Sequence, residues 1–154
     1  MIGLAEASIH INAPQQAVFD LFTTEHGLCT WMAKEAAVDL RPGGRWRWVH
    51  DNDVAASGEY VEVDPHGRVS FTYGWESGPF ADMGPGSTTV EVTFEPTGSG
   101  TDVTVTHRGV PEAFREQHQG GWTYFLGLLA DVAVGRAVEA TRLPDTSTDD
   151  REEA

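Results

Sequence analysis

The polar side chain best placed to do chemistry in this sequence is His107, at the end of an alternating apolar run. In a strand over residues 101–108, His107 would share a face with Val103 and Val105, so we expect it to point inward. An inward histidine can hydrogen-bond a ligand or act as a general acid or base near neutral pH. The alternative is a structural histidine whose ring nitrogens are paired inside the core. The sequence leaves both roles open.

Large aromatic side chains are the second chemical feature, and they recur at alternate positions of predicted strands. Trp46 and Trp48 fall on one face of a strand, as do Phe71 and Tyr73. Such residues build ordinary cores, but they also line pockets for small apolar ligands, and both interpretations remain open. We predict that the residues in contact with a ligand are Trp31, Trp46, Trp48, Tyr60, Phe71, Tyr73, Phe94, His107, Trp122, Phe125, Leu126 and Leu129.

Arrangements typical of metalloproteins and hydrolases are missing from the sequence. The single cysteine, Cys29, excludes an internal disulfide framework and a multi-cysteine metal site. No two histidines have the H-x-x-x-H spacing of a zinc site, and neither G-x-S-x-G nor a phosphate-binding glycine loop occurs. We therefore predict no catalytic residue, no metal and no cofactor, and we favour a binding protein over an enzyme.

Composition narrows the class of partner. The 154 residues carry a formal net charge of −14, and the ten basic residues form no patch or stripe. Nucleic acids and anionic membrane surfaces need such basic clusters, so both are set aside as partners. The longest apolar-rich stretch, residues 122–134, is too short to span a membrane, and the first seven residues do not resemble a signal peptide. We expect a cytoplasmic protein without membrane insertion.

The elements that must position these residues follow from hydrophobic periodicity. Val18, Leu21 and Phe22 have helical spacing, which predicts a short amphipathic helix over residues 15–23, and a second follows over 25–31. The remaining chain alternates with period two and is punctuated by turn signals. The predicted strands cover residues 4–11, 36–40, 45–50, 58–64, 68–75, 88–95 and 101–108. Short turns between them favour an antiparallel sheet.

The last predicted element is a helix. Trp122, Phe125, Leu126 and Leu129 follow i, i+3, i+4, i+7 spacing, which indicates one apolar face. The pair Gly120-Gly121 predicts a break between this helix and a shorter one over residues 112–118, because glycine lowers helix propensity. Gly127 inside the pattern would allow the helix to approach the sheet closely.

Several local motifs occur in a characteristic order. They are Ile11-Asn12-Ala13-Pro14 with Val18-Phe19, Trp31, Arg41-Pro42-Gly43-Gly44, Gly58-Glu59-Tyr60-Val61-Glu62-Val63-Asp64-Pro65, Gly100-Thr101, His107 and Gly121-Trp122. Together they resemble the family named for homologues of the activator of the heat-shock protein 90 ATPase, in the START/SRPBCC and pollen-allergen-like helix-grip superfamily. The resemblance covers residues 4–134. It implies an α+β fold in which a curved antiparallel sheet wraps around a long C-terminal helix, with two short helices after strand 1.

The resemblance also implies an organisation and a function. We expect one START-like domain over residues 1–142 and an acidic, disordered tail over 143–154. Members of the superfamily bind lipids, sterols or polyketides in the cavity between sheet and helix, which implies a small hydrophobic or aromatic ligand here. Two alternatives stay open. One is a cyclase-, dehydratase- or hydrolase-like enzyme using His107, and the other is a protein that contacts a chaperone, a regulator or a second copy of itself.

Overall fold

The computed structural model describes residues 2–136, and its elements follow the predicted order. They are β1 (Ile2–Ile11), α1 (Gln15–Thr23), α2 (Glu25–Leu28), β2 (Glu35–Val38), β3 (Arg45–Val49), β4 (Ala55–Asp64), β5 (Arg68–Trp75), β6 (Thr88–Thr97), β7 (Gly100–Pro111) and α3 (Arg115–Ala133), with a 3-10 turn (Glu112–Phe114) before α3. Residues 137–142 of the predicted domain and the predicted tail, residues 143–154, lie outside the described residues.

The strands form one antiparallel sheet in the order β1-β7-β6-β5-β4-β3-β2. The helices α1 and α2 carry the chain from β1 at one edge to β2 at the other. Register shifts in β1, after Gly3, and in β4, after Tyr60, mark irregularities of the kind that bend and twist strands. Helix α3 packs against β1, β7 and α1. The predicted α+β helix-grip architecture is confirmed.

The core lies on the concave face of the sheet, where the alternating residues of β5, β6 and β7 are buried. Helix α1 covers part of this face with Phe19 and Phe22, which are 3% and 2% exposed. Phe19 meets Phe94 of β6 edge-on at a ring-centroid distance of 5.2 Å. Burial of these apolar faces, at roughly 25 cal/mol per Å², is the main force that holds the helices on the sheet.

Strand β4 differs from the prediction in where it begins and in its register, although it ends at Asp64 as predicted. It begins at Ala55 rather than residue 58, because Ala55 and Ala56 pair with β3 despite the weak strand propensity of alanine. Strict alternation would place Glu62 on the same inward face as Tyr60, but the register shift beyond Tyr60 breaks that alternation. Glu62 is exposed and pairs with Arg68 on the surface.

The predicted break at Gly120-Gly121 is wrong, because α3 is continuous from Arg115 to Ala133. Two glycines cost a helix about 1 kcal/mol each relative to alanine. Burial of His118 and Trp122, one helical turn apart on either side of the pair, offsets that cost. The expected close approach at Gly127 is also absent, because a Cβ built there would meet no atom within 4 Å.

The segment between β5 and β6, predicted as a loop, folds back onto the sheet. The Trp75 amide donates to the Met83 carbonyl at 2.7 Å, and Met83 is 1% exposed. Close approach requires glycine at position 74, where a Cβ would lie 1.7 Å from the Gly84 carbonyl oxygen. Phe80 of the same segment packs against His118 at a centroid distance of 4.7 Å. The segment therefore covers one end of the interface between the sheet and α3.

Candidate functional site

All the residues predicted to contact a ligand are buried, and none is more than 6% exposed. The structure brings most of them together beneath α3. Trp122 lies over Trp48 and Tyr73 at centroid distances of 6.5 and 6.0 Å, and Phe125 lies over Trp31 at 6.5 Å. Trp46 stacks beside Tyr73 at 5.4 Å, and Leu126 and Leu129 belong to the same apolar cluster.

Two predicted residues lie away from this group. The ring neighbours of Phe94 are Phe19 and Phe22 of α1, so Phe94 packs under α1 rather than α3. The ring of Tyr60 contacts that of Phe71 at 5.9 Å, and the exposed Asp39 carboxylate is the charged group that acts on its phenol. The interface that carries the candidate site is therefore formed by β3, β5, β7 and α3.

His107 is at the centre of a chain of hydrogen bonds. The Trp122 indole Nε1–H donates to His107 Nδ1 at 3.1 Å, and His107 Nε2 lies 2.8 Å from Thr88 Oγ1. The Thr88 hydroxyl hydrogen is already given to the Tyr73 carbonyl at 2.8 Å, so its oxygen accepts from His107 Nε2–H. This pattern assigns the neutral Nε2–H tautomer to His107 and leaves neither nitrogen free.

The environment also keeps His107 neutral. Burial, with a smaller contribution from the neighbouring His118, lowers the pKa of His107 to about 3. A protonated ring would place an N–H against the Trp122 N–H. A histidine with both nitrogens occupied has no lone pair or proton to offer a substrate, so the geometry does not support the acid/base alternative.

His118 is paired in the same manner. It accepts from the Trp75 indole N–H at its Nε2, at 2.9 Å, and its Nδ1–H donates to the Phe114 carbonyl at 2.8 Å. Burial lowers its pKa. His118 lies four residues before Trp122. Extending the predicted helix toward its N-terminus would therefore have placed His118 on the same buried face as Trp122.

The five tryptophans differ in the hydrogen bonding of their indole N–H groups. Four of the five tryptophans donate their indole N–H: Trp31 to Leu21, Trp46 to Thr72, Trp75 to His118 and Trp122 to His107. The fifth, Trp48, is 2% exposed, and its buried Nε1 has no partner among the described residues. An unpaired buried donor costs about 1–3 kcal/mol, so a native protein retains one only for a reason.

His50 carries a second buried ring nitrogen without a hydrogen-bond partner. It is 1% exposed, its ring lies 5.6 Å from Trp75 and 5.7 Å from Phe125, and its buried Nδ1 has no partner within the described chain. The Met32 backbone bonds the ring, and burial nevertheless lowers the pKa of His50 to about 4.

The sequence-based prediction of the site therefore overlooked His50. The signal was present, because the alternation that puts Trp46 and Trp48 on one face continues to position 50. Met83 and Phe80 carried no such signal, since they reach the interface through an irregular segment.

The buried surface around these residues carries no formal charge. The buried polar side chains of residues 3–136 are threonine, serine and histidine, without Asp, Glu, Lys or Arg. Burial raises the pKa of Tyr73, which keeps its phenol neutral. A solvent-open groove of about 430 Å³ does carry charge, but it lies on α3 at Arg115, Glu116, Gln119, Gly120 and Thr123 and contains no predicted site residue.

The described residues offer neither a metal site nor a membrane-spanning helix. Within residues 2–136, no group of three or more His, Cys, Asp or Glu side chains is arranged to hold a metal ion. The helices of the same range include none with the length and apolar character needed to cross a bilayer.

Known proteins resemble the chain in sequence family and in fold. A family model described as "Activator of Hsp90 ATPase homolog 1-like protein" matches residues 12–133. A search of curated proteins finds no match.

Three solved structures share the fold. DynU16, a protein in the dynemicin biosynthetic locus, has a TM-score of 0.74 at 20% identity, and the match covers 88% of this chain but 50% of DynU16. The Aha1 dimer from Colwellia psychrerythraea has a TM-score of 0.72 at 21% identity, with coverage of 85% and 96%. PFC0360w, an HSP90 activator from Plasmodium falciparum, has a TM-score of 0.66 at 22% identity, with coverage of 86% and 96%. The chain thus spans half the length of DynU16, and at these identities the likenesses establish the fold alone.

Proposed function

The chain belongs to the family of Activator of Hsp90 ATPase homolog 1-like proteins, and from this premise we propose that it binds a small hydrophobic or aromatic ligand between the sheet and α3. The observation that carries the proposal is that two buried ring nitrogens, Trp48 Nε1 and His50 Nδ1, have no partner among the described residues, while their rings pack against Trp122 and Phe125 of α3. Ligand pockets combine apolar walls with a few directed polar groups, and this interface has both.

The predicted ligand residues divide between two roles in this proposal. Trp48, Tyr73, Trp122 and Phe125 are the walls that a ligand would touch, while Phe94 packs against α1 and Tyr60 packs against Phe71. His107 holds Trp122 in place through its hydrogen bond. The fold relative DynU16 belongs to a biosynthetic locus, which favours a small organic molecule over a macromolecule as the ligand.

Intrinsic tryptophan fluorescence tests the proposal, because Trp48 and Trp122 would face the ligand. We expect a saturable change in emission on titration with aromatic compounds or lipids, and weaker binding in Trp122→Phe. Thr123→Ala, an exposed neighbour on the same helix, is the matched control. A protein that responds to no compound of the panel, with Trp122→Phe altering stability alone, would contradict the proposal.

A second candidate function is interaction with a chaperone or with another copy of the chain. The family description and two fold relatives, an HSP90 activator and an Aha1 dimer, favour it. The large exposed hydrophobic residues of the described surface, Leu4, Val61 and Val134, lie on separate elements, which offers little support for an apolar docking patch.

Light scattering after size exclusion and a pull-down with purified Hsp90 test this second function. A dimer or a retained complex would support it, and a monomer that retains no chaperone would remove it. A cytoplasmic location, in which such a chaperone would be met, stays a prediction.

A further inference from the structure

We infer that three buried histidines make the attachment of α3 to the sheet sensitive to acid, so that this helix detaches at mildly acidic pH while α1 keeps its place. The three residues, His50, His107 and His118, form what we call the histidine cluster. No ligand is needed for this response, which goes beyond the proposed function. Its basis is the position of the three side chains at the α3 interface and the lack of charge around them.

Each member of the histidine cluster meets α3, and none is more than 6% exposed. His118 belongs to the helix itself. His107 accepts the indole N–H of Trp122 at 3.1 Å, and the ring of His50 lies 5.7 Å from that of Phe125. Helix α3 therefore covers two of the histidines and carries the third, so its detachment would expose all three to water.

The three rings lie in one region of the interface. The ring centroids of His107 and His118 are 5.6 Å apart. Trp75 joins the third histidine to this pair, because it donates its indole N–H to His118 Nε2 at 2.9 Å and its ring lies 5.6 Å from that of His50. A proton on His107 or His118 would make it harder to charge the other while α3 stays attached, since like charges repel.

The groups that face the histidine cluster carry no formal charge. From β5, β6, the segment between them, α3 and the chain before β2, they are Tyr73, Trp75, Phe80, Thr88, Trp122, Phe125 and the Met32 backbone. Burial raises the pKa of Tyr73, so its phenol stays neutral. The charged residues within two positions of the cluster, Asp51, Arg108 and Glu116, are exposed. An unpaired buried ion is costly, so the histidines remain neutral for as long as α3 covers them.

The part of the sheet that α1 covers contains no comparable group among residues 3–136. Phe19 and Phe22 of α1 pack there against Phe94. The buried polar side chains outside the histidine cluster are threonines and one serine, which do not titrate in this range. His66 meets the edge of Phe19 but is partly exposed. Acid therefore acts on the contacts of α3 and leaves those of α1 intact, as expected for local opening of one part of a domain.

The size of the response follows from proton uptake. An exposed histidine has a pKa of 6.5, whereas burial lowers the pKa of His50 to about 4 and that of His107 to about 3, and also lowers that of His118. The detached state therefore binds more protons, and acid favours it. Between pH 7 and pH 5, each of His50 and His107 raises the equilibrium constant for detachment about 25-fold, or about 600-fold together, and His118 acts in the same direction.

Hydrogen–deuterium exchange of the wild type at pH 7, 6 and 5 tests the inference, once the rates are corrected for the intrinsic effect of pH on exchange. The backbone amides of α3 should lose protection by about 600-fold or more between pH 7 and pH 5, while those of α1 keep theirs to within about tenfold. A loss in α3 below about tenfold, or an equal loss in α1 and α3, would overturn the inference. Neither result bears on ligand binding at neutral pH.

Two variants assign the response to the histidine cluster. His50→Gln and His107→Gln each remove one group that takes up a proton, so each should reduce the loss of α3 protection between pH 7 and pH 5 about 25-fold. His26→Gln, at an exposed position of α2, is the matched control and should leave that loss unchanged. Because the two pH values are compared within one protein, a lower stability of a variant at pH 7 cancels. A loss of protection as large in both cluster variants as in the wild type would overturn the inference, and the comparison of α1 with α3 in the wild type decides it if a variant fails to fold.

Discussion

Replacement of His107 by glutamine should change how the stability of the protein depends on pH. In the folded state His107 is neutral, with a pKa lowered to about 3 by burial and by His118, against 6.5 for an ordinary histidine. The unfolded chain therefore binds more protons in acid. The contribution of His107 is complete above pH 6.5 and declines as the pH falls toward 3.

The size of the effect follows from the same two values. One pH unit below 6.5 corresponds to about 1.4 kcal/mol, so at pH 5 the wild type has lost roughly 2 kcal/mol through this residue. At pH 8 the variant is less stable than the wild type by about 1–3 kcal/mol, because Trp122 and Thr88 lose their partner. The difference between wild type and variant should shrink by about 2 kcal/mol between pH 8 and pH 5.

Urea unfolding followed by circular dichroism at pH 8, 7, 6 and 5 measures both free energies of unfolding. His50 and His118 remain in both proteins, so their contributions cancel in the difference. Carboxylates with lowered pKa values, such as Glu76, lose their contributions below this range. His26→Gln, at an exposed helix position, controls for the substitution itself. A stability difference that stays constant to within about 0.5 kcal/mol over this range would refute the buried, neutral state of His107.

Further predictions concern hydrogen bonds and glycines. Trp122→Phe and Trp48→Phe should both lower the free energy of unfolding, but the loss in Trp48→Phe should be smaller by about 1 kcal/mol, because the Trp48 N–H makes no hydrogen bond to lose. Chemical denaturation of both variants measures the two losses, and equal losses would contradict this prediction. Gly127→Ala should raise the free energy of unfolding by about 0.5–1 kcal/mol, since the new methyl group meets no atom within 4 Å in a helix, and a lower melting temperature would be inconsistent with that space. Gly74→Ala should destabilise the fold by more than about 2 kcal/mol, because its Cβ would collide with the carbonyl of Gly84, and an unchanged thermal transition would exclude this close approach.

Periodicity determined the faces of the elements in this protein. Alternation in β7 identified Val103 and Val105 as inward residues, and helical spacing identified the buried side of α3. Both patterns are local, because they depend on the geometry of one strand or one helix. The boundaries of elements were predicted less accurately. Helix α3 continues through Gly120-Gly121 because it packs against the sheet, and a short stretch of sequence gives no information about such packing.

The chemistry of the inward polar residues was decided by tertiary structure. His107 and His50 are both buried histidines. The two nitrogens of His107 are hydrogen-bonded to Trp122 and Thr88, whereas His50 Nδ1 has no partner among the described residues. The difference arises from contacts between residues far apart in the chain, across the sheet and to α3. The sequence thus determined a sheet, a covering helix and an aromatic interface between them. Which polar atoms in that interface remain free depends on sheet register and on the position of the helix, and these exist only in the folded molecule.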